Sequence, residues 1–262
     1  MGKQTIVASI DDGIARVALD RPEQLNAINR LMISELNATL SSFAGDPSIK
    51  VVILSGHGRA FSAGGDVGEH HATFLLQHAE RRASVAHALD GLGDVILSIL
   101  RFPRPVIASV QGACLGAAVG LAAAADVVIA ADDSRFQLAQ GKLGLSIDGG
   151  TSYLLPRLIG LRAAQRMALT GEAIDAAVAR QLGLVSTIVP EAKLAEKTDH
   201  VALEIARFPS AGLERSKALL LANLDRGPAA ALAAETSAVV ESFLDPAFEA
   251  SVQAFLNSRK RP

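Results

Sequence analysis

The sequence contains few aromatic residues and a single cysteine. Among its 262 residues there are no Trp, one Tyr and nine Phe, although half of the chain is apolar. Because Cys114 has no second cysteine to pair with, an intrachain disulfide scaffold is excluded. The high apolar content and low net charge exclude a largely disordered chain. A chain of this length can bury a sizeable core, as one large layered domain or two small ones.

The sequence also lacks an excess of either charge. There are 25 Lys and Arg against 27 Asp and Glu, interspersed along the chain, and the formal net charge is −2. Binding to a nucleic-acid backbone needs a basic surface, and the one compact cationic group, at 259–261, belongs to a tail that is usually just solvated. We therefore expect no nucleic-acid partner.

No apolar stretch of signal-peptide length occurs in the first 13 residues, MGKQTIVASIDDG. Export is therefore unsupported, and a lone thiol fits a reducing compartment. We expect a cytoplasmic protein.

One uncharged run, at 105–125, has the length of a transmembrane helix and carries small residues at Gly112, Gly116 and Gly120. Much of it is Ala and Gly, whose transfer into hydrocarbon gains less than that of Leu or Phe. Asp126 closes the run, and a strand-like segment follows at once. A buried, closely packed helix explains the run better, so we expect no membrane partner.

The order of apolar patterns predicts the α/β class. Two short β-type runs flank Asp11-Asp12-Gly13, a strong hairpin signal. A helix with one apolar face at Met32, Ile33, Leu36 and Leu40 follows. Buried strands are then predicted at 51–56, 106–110 and 127–131, with a long helix at about 74–101. Alternating strands and helices indicate a parallel-type sheet covered by helices, and from about 161 the spacing is helical almost throughout.

Two turns rich in Gly and Ala each follow a predicted buried strand. They read RAFSAGGD at 59–66 and GACLGAAVG at 112–120. Small residues leave backbone N–H groups uncovered, and a helix that begins there directs its positive end toward a ligand. The alternative is that the glycines only permit tight turns and close packing. Neither turn matches the dinucleotide or P-loop fingerprint, so the residues alone indicate only an anion site.

These turns, the stretch KLGLSIDGG at 142–150 and TGEAIDAAVARQLGLVSTIVP at 170–190 resemble the successive signatures of the crotonase, or enoyl-CoA hydratase/isomerase, family. RPEQLNAIN at 21–29 is similar too, so the resemblance covers nearly the whole chain. It implies a spiral of ββα units forming an acyl-CoA-binding core over 1–200. It also implies a helical C-terminal trimerisation region over 201–262, in a homotrimer or a dimer of trimers.

The resemblance implies an acyl-CoA thioester substrate, with coenzyme A as part of that substrate and no separate cofactor. Two backbone N–H groups, at Gly65 and Ala117, would hold the thioester oxygen. Such donors stabilise a developing enolate by about 3–4 kcal/mol each. The coenzyme would pass a small group of residues largely through backbone contacts: Gln24, Leu25, Ser62, Ala63 and Gly64.

Departures from the family pattern indicate which reaction to expect. Gly120 and Gln140 stand where the hydratases of the family carry two glutamates, and neither can ionise. Hydration usually needs two positioned carboxylates, whereas moving a double bond needs one base. Asp148 falls where some isomerases of the family carry an aspartate. We therefore expect an enoyl-CoA isomerase in which Asp148 is the base and Gln140 lines the substrate site.

Three alternatives stay open. The protein could be a hydratase-type lyase with water held by Gln140, or a non-catalytic acyl-CoA-binding protein that has lost both glutamates. Asp148 could instead be an N-cap or turn residue before the next helix. A dehalogenase is disfavoured because Gln140 stands where that branch has a Trp.

The remaining polar candidates have structural explanations. Asp66 is placed to cap the helix that follows it, and a structural role is expected for Asp126 as well. At most one or two of the adjacent residues at 69–71 (Glu-His-His) can face the site, and a solvated surface is expected for them. Cys114 is expected to be a buried thiol, and no His, Cys or carboxylate spacing predicts a metal site.

Overall fold

A computed structural model describes residues 4–259 of the chain. Lys260 and Arg261 of the predicted cationic tail lie outside the described residues. Residues 4–259 form nine strands: β1 Ile6–Asp11, β2 Ile14–Leu19, β3 Val51–Gly56, β4 Val106–Val110, β5 Ala113–Leu115, β6 Val127–Ala131, β7 Arg135–Gln137, β8 Ala173–Asp175 and β9 Thr187–Val189.

The same residues form eleven α-helices: α1 Arg30–Ala44, α2 Val67–Ala72, α3 His78–Leu100, α4 Ala117–Ala123, α5 Thr151–Leu158, α6 Leu161–Thr170, α7 Ala176–Leu182, α8 Leu194–Ala206, α9 Ser210–Ala222, α10 Pro228–Phe243 and α11 Pro246–Ser258. Short 3₁₀ turns connect several of them, including one at Pro22–Gln24 and one at Gln140–Leu143.

The main sheet has six strands in the order β1-β2-β3-β4-β6-β9, and only the β1–β2 pair is antiparallel. The predicted hairpin is confirmed: Asp12 and Gly13 both have positive φ, 46° and 76°, as a type I′ turn requires. The predicted strands at 51–56, 106–110 and 127–131 are confirmed as β3, β4 and β6. The α/β class with a parallel-type sheet is therefore correct.

Both faces of the main sheet are covered. Helix α1 packs on α3, and its predicted apolar face contributes Met32, Leu36 and Leu40 to the main core. Helix α8 covers the opposite face, where Leu194 and Ala202 join a second buried cluster. Parallel strands that are buried on both faces have continuous apolar sequences. This is why β3, β4 and β6 could be predicted from the sequence.

The uncharged run at 105–125 does not form one long helix. It is divided into β4, β5 and the seven-residue α4, every residue of which is buried. Helix α3 is the one helix within residues 4–259 that is long and apolar enough to cross a membrane by length and composition. One such helix is by itself weak evidence of a membrane span; 22% of its apolar window is buried, and α3 contributes Leu92, Val95, Ile96 and Ile99 to the core.

A second, three-stranded sheet in the order β5-β7-β8 lies beside the first turn. The sequence patterns predict none of its strands, nor β9, because each has only three residues and shows no periodicity. An isolated parallel bridge between Ser62 and Cys114 links the first turn to β5. The second sheet thus holds the two predicted turns side by side.

The C-terminal helices α9 to α11 have no buried residue of their own. Two ion pairs attach α9 to the core: Lys217 Nζ lies 2.7 Å from Asp126 Oδ2, and Arg104 pairs with Glu214. Burial raises the pKa of Asp126, although Lys217 and the Val106 N–H oppose the rise, and burial lowers the pKa of Lys217. The predicted structural role of Asp126 fits these contacts. The domain boundary at 200 stays a prediction, and α8 runs across it.

Candidate active site

In the first turn, the backbone N–H group of Gly65 lies outside the hydrogen bonds that hold the turn. Ile28 N donates to Gly64 O at 2.7 Å, and Asp66 N donates to Ile28 O at 3.0 Å. This parallel bridge places Ile28 opposite Gly65 and does not use the Gly65 N–H. Gly64 has a φ of 86°, and a β-carbon there would lie 2.5 Å from the Leu115 carbonyl oxygen, so this position requires glycine.

The second turn presents the beginning of α4. Gly116, at a φ of 54°, precedes the helix, and its own N–H donates to Gln137 O at 2.8 Å. Ala117 is the first residue of α4, so its N–H has no partner within the helix. The positive end of the helix dipole adds to the local field at this N–H.

Three of the predicted site residues line one cavity. Gly65, Ala117 and Asp148 meet there, and the remaining walls come mainly from apolar side chains of α1 and α3 and the segment before α1. The cavity measures about 80 Å³.

The carboxylate of Asp148 does not cap a helix. Gly150 is the N-cap of α5, and the contacts from Thr151 go to the backbone carbonyl of Asp148, with Thr151 Oγ1 at 2.7 Å. The N-cap alternative for this carboxylate is therefore wrong, whereas the turn alternative holds for the backbone, since the Asp148 carbonyl also accepts from Thr151 N at 3.2 Å. Its side chain instead accepts a hydrogen bond from Gln140 Nε2, at 2.9 Å between Nε2 and Oδ1.

Gln140 is buried, with 8% of its surface exposed. Its amide orientation follows from its neighbour, because an ionised carboxylate accepts hydrogen bonds and cannot donate one. Its other amide atom, Oε1, is buried and has no hydrogen-bond partner within residues 4–259. Gln140 therefore holds Asp148 with a single donated hydrogen bond and contributes no charge.

The position of the first hydratase glutamate is closed in this fold. A β-carbon built on Gly120 would overlap the carbonyl oxygen of Gly149, one residue after Asp148. Any side chain at position 120 would therefore displace the turn that carries Asp148.

The residues expected along the coenzyme lie in the first turn or beside it, but they do not line the cavity. Gln24 is exposed, and Leu25 has a φ of 49° and accepts a hydrogen bond from Ala63 N at 2.8 Å. The Ser62 hydroxyl is fully buried; it donates to Asn26 O and accepts from Gly64 N.

Several backbone groups of the first turn are thus already committed. The N–H groups of Ala63 and Gly64 have internal acceptors, and the carbonyls of Ser62 and Gly64 accept from Leu115 and Ile28. The Ala63 carbonyl is the group in this stretch that has no internal donor within residues 4–259. The coenzyme contacts of these residues remain predictions.

A solvated surface was expected at 69–71, with at most one or two residues facing the site. His70 and His71 are exposed and Glu69 is half-buried, while Glu69 and His70 also line the cavity. Glu69 Oε2 accepts from the backbone N–H of Arg30 at 3.0 Å. The imidazole of His70 lies against Gly65. The sequence signal for these residues was their position just after the first turn. Which of them face the cavity depends on the residue at which α2 begins, and the sequence alone did not give that residue.

Asp66 sets that beginning, as predicted. Its side chain accepts from the N–H groups of Gly68 and Glu69, and its Oδ2 lies 2.7 Å from Arg21 Nη1. Burial raises the pKa of Asp66, but the hydrogen bond from Arg21 and the backbone donors outweigh burial and hold the pKa below its ordinary value. Asp66 is therefore an anionic cap at neutral pH.

Two further observations concern residues away from Asp148. Cys114 is fully buried, as expected, and burial raises the pKa of its thiol far above the neutral range. Within residues 4–259, no three His, Cys, Asp or Glu side chains gather closely enough to hold a metal ion.

Comparison with known proteins identifies the family. A sequence profile described as enoyl-CoA hydratase/isomerase matches residues 9–262. A Rhodobacter capsulatus protein named "Probable enoyl-CoA hydratase" is 37% identical over 259 residues, 99% of this chain and 97% of that protein. The trans-2-decenoyl-(acyl-carrier-protein) isomerase of Streptococcus mutans is 32% identical over 207 residues, 79% of this chain and 78% of its own.

The fold is shared as well. The crystal structure of an enoyl-CoA hydratase from Mycobacterium smegmatis superposes with a TM-score of 0.91 at 29% identity, covering 98% of this chain and 97% of that chain. The crotonase-like architecture with a helical C-terminal region is therefore confirmed. By sequence and by fold, the chain belongs to the enoyl-CoA hydratase/isomerase family.

Proposed function

We propose that the protein is an isomerase that shifts the double bond of an enoyl-CoA thioester. One observation carries the proposal: the carboxylate of Asp148 lines the same small cavity as Gly65 and Ala117, whose N–H groups are not used by the turns that present them. A base and two oxyanion donors in one cavity are the parts that enolate chemistry requires.

The reaction needs one proton to leave and return. Asp148 takes a proton from C2 of a 3-enoyl thioester, and the electrons of that C–H bond pass into the thioester carbonyl. The resulting dienolate oxygen is held by the N–H groups of Gly65 and Ala117. Asp148 then returns the proton to C4, so the double bond lies between C2 and C3. Coenzyme A is part of the substrate, and the step consumes no other reactant.

Gln140 supports the base in this scheme. Its donated hydrogen bond orients one oxygen of Asp148, which leaves the second oxygen for the substrate. The amide cannot ionise, so it does not share the proton. A single carboxylate with a neutral partner suits a reaction in which the same group removes and returns one proton.

Hydration is the second candidate, because the Rhodobacter relative is named a hydratase. Two observations weigh against it. The backbone at Gly120 leaves no room for a glutamate, and the other hydratase position is the uncharged Gln140. Water would have to be activated by Asp148 alone.

Asp148→Asn tests the base. We expect the purified protein to convert a 3-enoyl-CoA into the conjugated 2-enoyl-CoA, followed by the absorbance of the conjugated thioester. The substitution should lower kcat by about 10²- to 10⁴-fold, the usual contribution of general acid–base catalysis. Thermal unfolding of the variant checks that the fold is kept, because Asn preserves the size of the side chain.

Asp11→Asn is the matched control, since Asp11 is exposed at the end of β1; its rate should equal that of the wild type. An unchanged rate in Asp148→Asn would show that the base is assigned wrongly. Oxygen-18 from water in the product would support hydration instead. Tight binding of CoA thioesters with no turnover at any chain length would support the non-catalytic alternative.

A further inference from the structure

The imidazole of His70 lies against the β-carbon side of Gly65, whose N–H is one of the two proposed oxyanion donors. A β-carbon built on Gly65 would be 2.9 Å from His70 Cε1 and 3.1 Å from Nε2, so the ring edge covers the side of Gly65 where no side chain exists. His70 also lines the cavity that holds Ala117 and Asp148. We propose that His70 is a catalytic residue whose Nε2–H is a third donor to the thioester oxygen. This inference rests on the proposed function.

The helix that carries the ring is tied to two other segments. Arg30 N, at the beginning of α1, donates to Glu69 Oε2 at 3.0 Å, and Arg21 Nη1 lies 2.7 Å from Asp66 Oδ2 at the N-cap of α2. Within α2, His70 N donates to Asp66 O at 3.1 Å, and Thr73 Oγ1 donates to His70 O at 2.7 Å. The backbone of His70 is therefore placed by helix α2, and the helix by its contacts with Arg21 and Arg30.

The ring nitrogens are free to serve a ligand. Within residues 4–259 neither nitrogen of His70 has a hydrogen-bond partner, whereas His57 Nδ1 lies 2.9 Å from Asp20. The neighbouring carboxylate of Glu69 is occupied by the Arg30 N–H and does not pair with the ring. A neutral imidazole has one N–H donor, and that donor can point toward a developing negative oxygen.

His71 provides the matched control. It is adjacent in sequence, but it does not line the cavity, and its ring packs edge-on against Phe74 with centroids 5.8 Å apart. The same substitution at 70 and at 71 therefore separates the role at the oxyanion from a general effect on α2.

The test compares His70→Phe, which keeps a ring without a donor, with His70→Gln, which keeps an N–H donor. With a 3-enoyl-CoA, His70→Phe should lower kcat by about 10²-fold with little change in KM, as expected when a donor acts mainly in the transition state. The kcat of His70→Gln should stay within roughly tenfold of the wild-type value. The kcat of His71→Phe should equal the wild-type value.

A second measurement needs no turnover. Acetoacetyl-CoA forms an enolate with its own near-ultraviolet band, so the ratio of bound enolate to bound keto form can be read directly. His70→Phe should lower this ratio roughly tenfold or more, the size of one hydrogen bond to a charged oxygen. His70→Gln should restore most of it.

The outcomes distinguish this inference from the proposed function. If the wild type isomerises the substrate and Asp148→Asn does not, while His70→Phe behaves like the wild type in both assays, the role of His70 is overturned and the function stands. A faster His70→Phe would also overturn it, because the ring would then only obstruct the site. If no variant or wild type isomerises a 3-enoyl-CoA, the function fails, and the acetoacetyl-CoA ratio still decides whether His70 binds an enolate.

Discussion

At the scale of single residues, the contact between Gly120 and Gly149 connects the core to the proposed base. Gly120 is buried in α4, and the Gly149 carbonyl occupies the place of its missing side chain. Gly149 has a φ of 59° and packs on Ala117. The contact between Gly120 and Gly149 is therefore flanked by two residues of the candidate site, Ala117 and Asp148. Added volume at 120 must therefore move the turn that carries Asp148.

Gly120→Ala should destabilise the protein by about 1–3 kcal/mol, the usual cost of overpacking a closely packed core. It should also lower the isomerase rate, because the Asp148 turn shifts. Chemical denaturation and the 3-enoyl-CoA assay measure the two effects.

Gly93→Ala is the control for this prediction. A β-carbon on Gly93 meets nothing within 4 Å, and the residue lies inside α3. This substitution should stabilise the protein by roughly 0.5–1 kcal/mol through helix propensity. Equal stability changes at the two positions would contradict the account of the Gly120 contact.

Some residues of the candidate site could be predicted from sequence, and others could not. The two turns rich in Gly and Ala could be located after buried strands, whereas the choice of Gly65, Ala117 and Asp148 came from the family resemblance. The contact of Gln140 with Asp148 and that of His70 with Gly65 depend on how separate segments pack. Sequence spacing alone does not contain that information.

At the scale of elements, the short helix α2 depends on its N-cap. Helices of six residues are not stable by propensity alone, because nucleation is unfavourable. The Asp66 carboxylate supplies acceptors for two backbone N–H groups and pairs with Arg21, both side chains being less than one fifth exposed. This one carboxylate therefore sets the direction in which α2 presents its residues.

Two substitutions of Asp66 distinguish the contribution of its capping hydrogen bonds from that of its negative charge. Asp66→Asn keeps the cap geometry and should cost about 1 kcal/mol at pH 7, while Asp66→Ala should cost roughly 1 kcal/mol more. Because the pKa of Asp66 is lowered in the fold, its charge stabilises above its ordinary pKa of 3.8, and this contribution is lost as the pH falls through the folded value.

Denaturation at pH 7 and near pH 3 measures this effect. The difference in unfolding free energy between the wild type and Asp66→Asn should be smaller at the lower pH, because Asp66 loses its charge there. The other carboxylates are the same in both proteins, so their titration cancels in this difference. A difference that stays constant with pH would mean that the charge of Asp66 does not stabilise the fold.

Among the elements, length decided what the sequence could predict. The five- and six-residue strands β3, β4 and β6 have the predicted bounds, because burial on both faces gives an unbroken apolar run. The predicted helix at about 74–101 is shorter, since α3 begins at His78 after a 3₁₀ turn. The three-residue strands are set by tertiary pairing with neighbours that are distant in sequence.

At the scale of the whole molecule, the C-terminal helices expose a large apolar surface. Leu232, Val239, Phe243 and Leu244 are each more than half exposed. Exposed apolar patches of this kind mark interaction surfaces. We propose that the surface of α10 and α11 joins copies of this chain in a homotrimer or a dimer of trimers, as the family resemblance implies.

Light scattering after size exclusion tests the assembly. The wild type should have about three or six times the chain mass of 27.2 kDa. Phe243→Asp together with Leu244→Lys should lower the mass toward one chain, because charge is costly in an apolar interface. The control replaces an exposed ion pair at the beginning of α8, with Lys193→Ala together with Glu196→Ala. This variant should keep the wild-type mass. A wild type of 27.2 kDa would contradict the proposal.

The ion pair between Asp126 and Lys217 bears on whether the chain can be divided. One oxygen of Asp126 holds both the Val106 N–H at the beginning of β4 and the Lys217 ammonium of α9. A fragment ending at residue 200 would lose this cation and would also stop inside α8, which covers one face of the main sheet. We therefore expect C-terminal helices from another protein to pack stably against this sheet only if they supply a cation in place of Lys217.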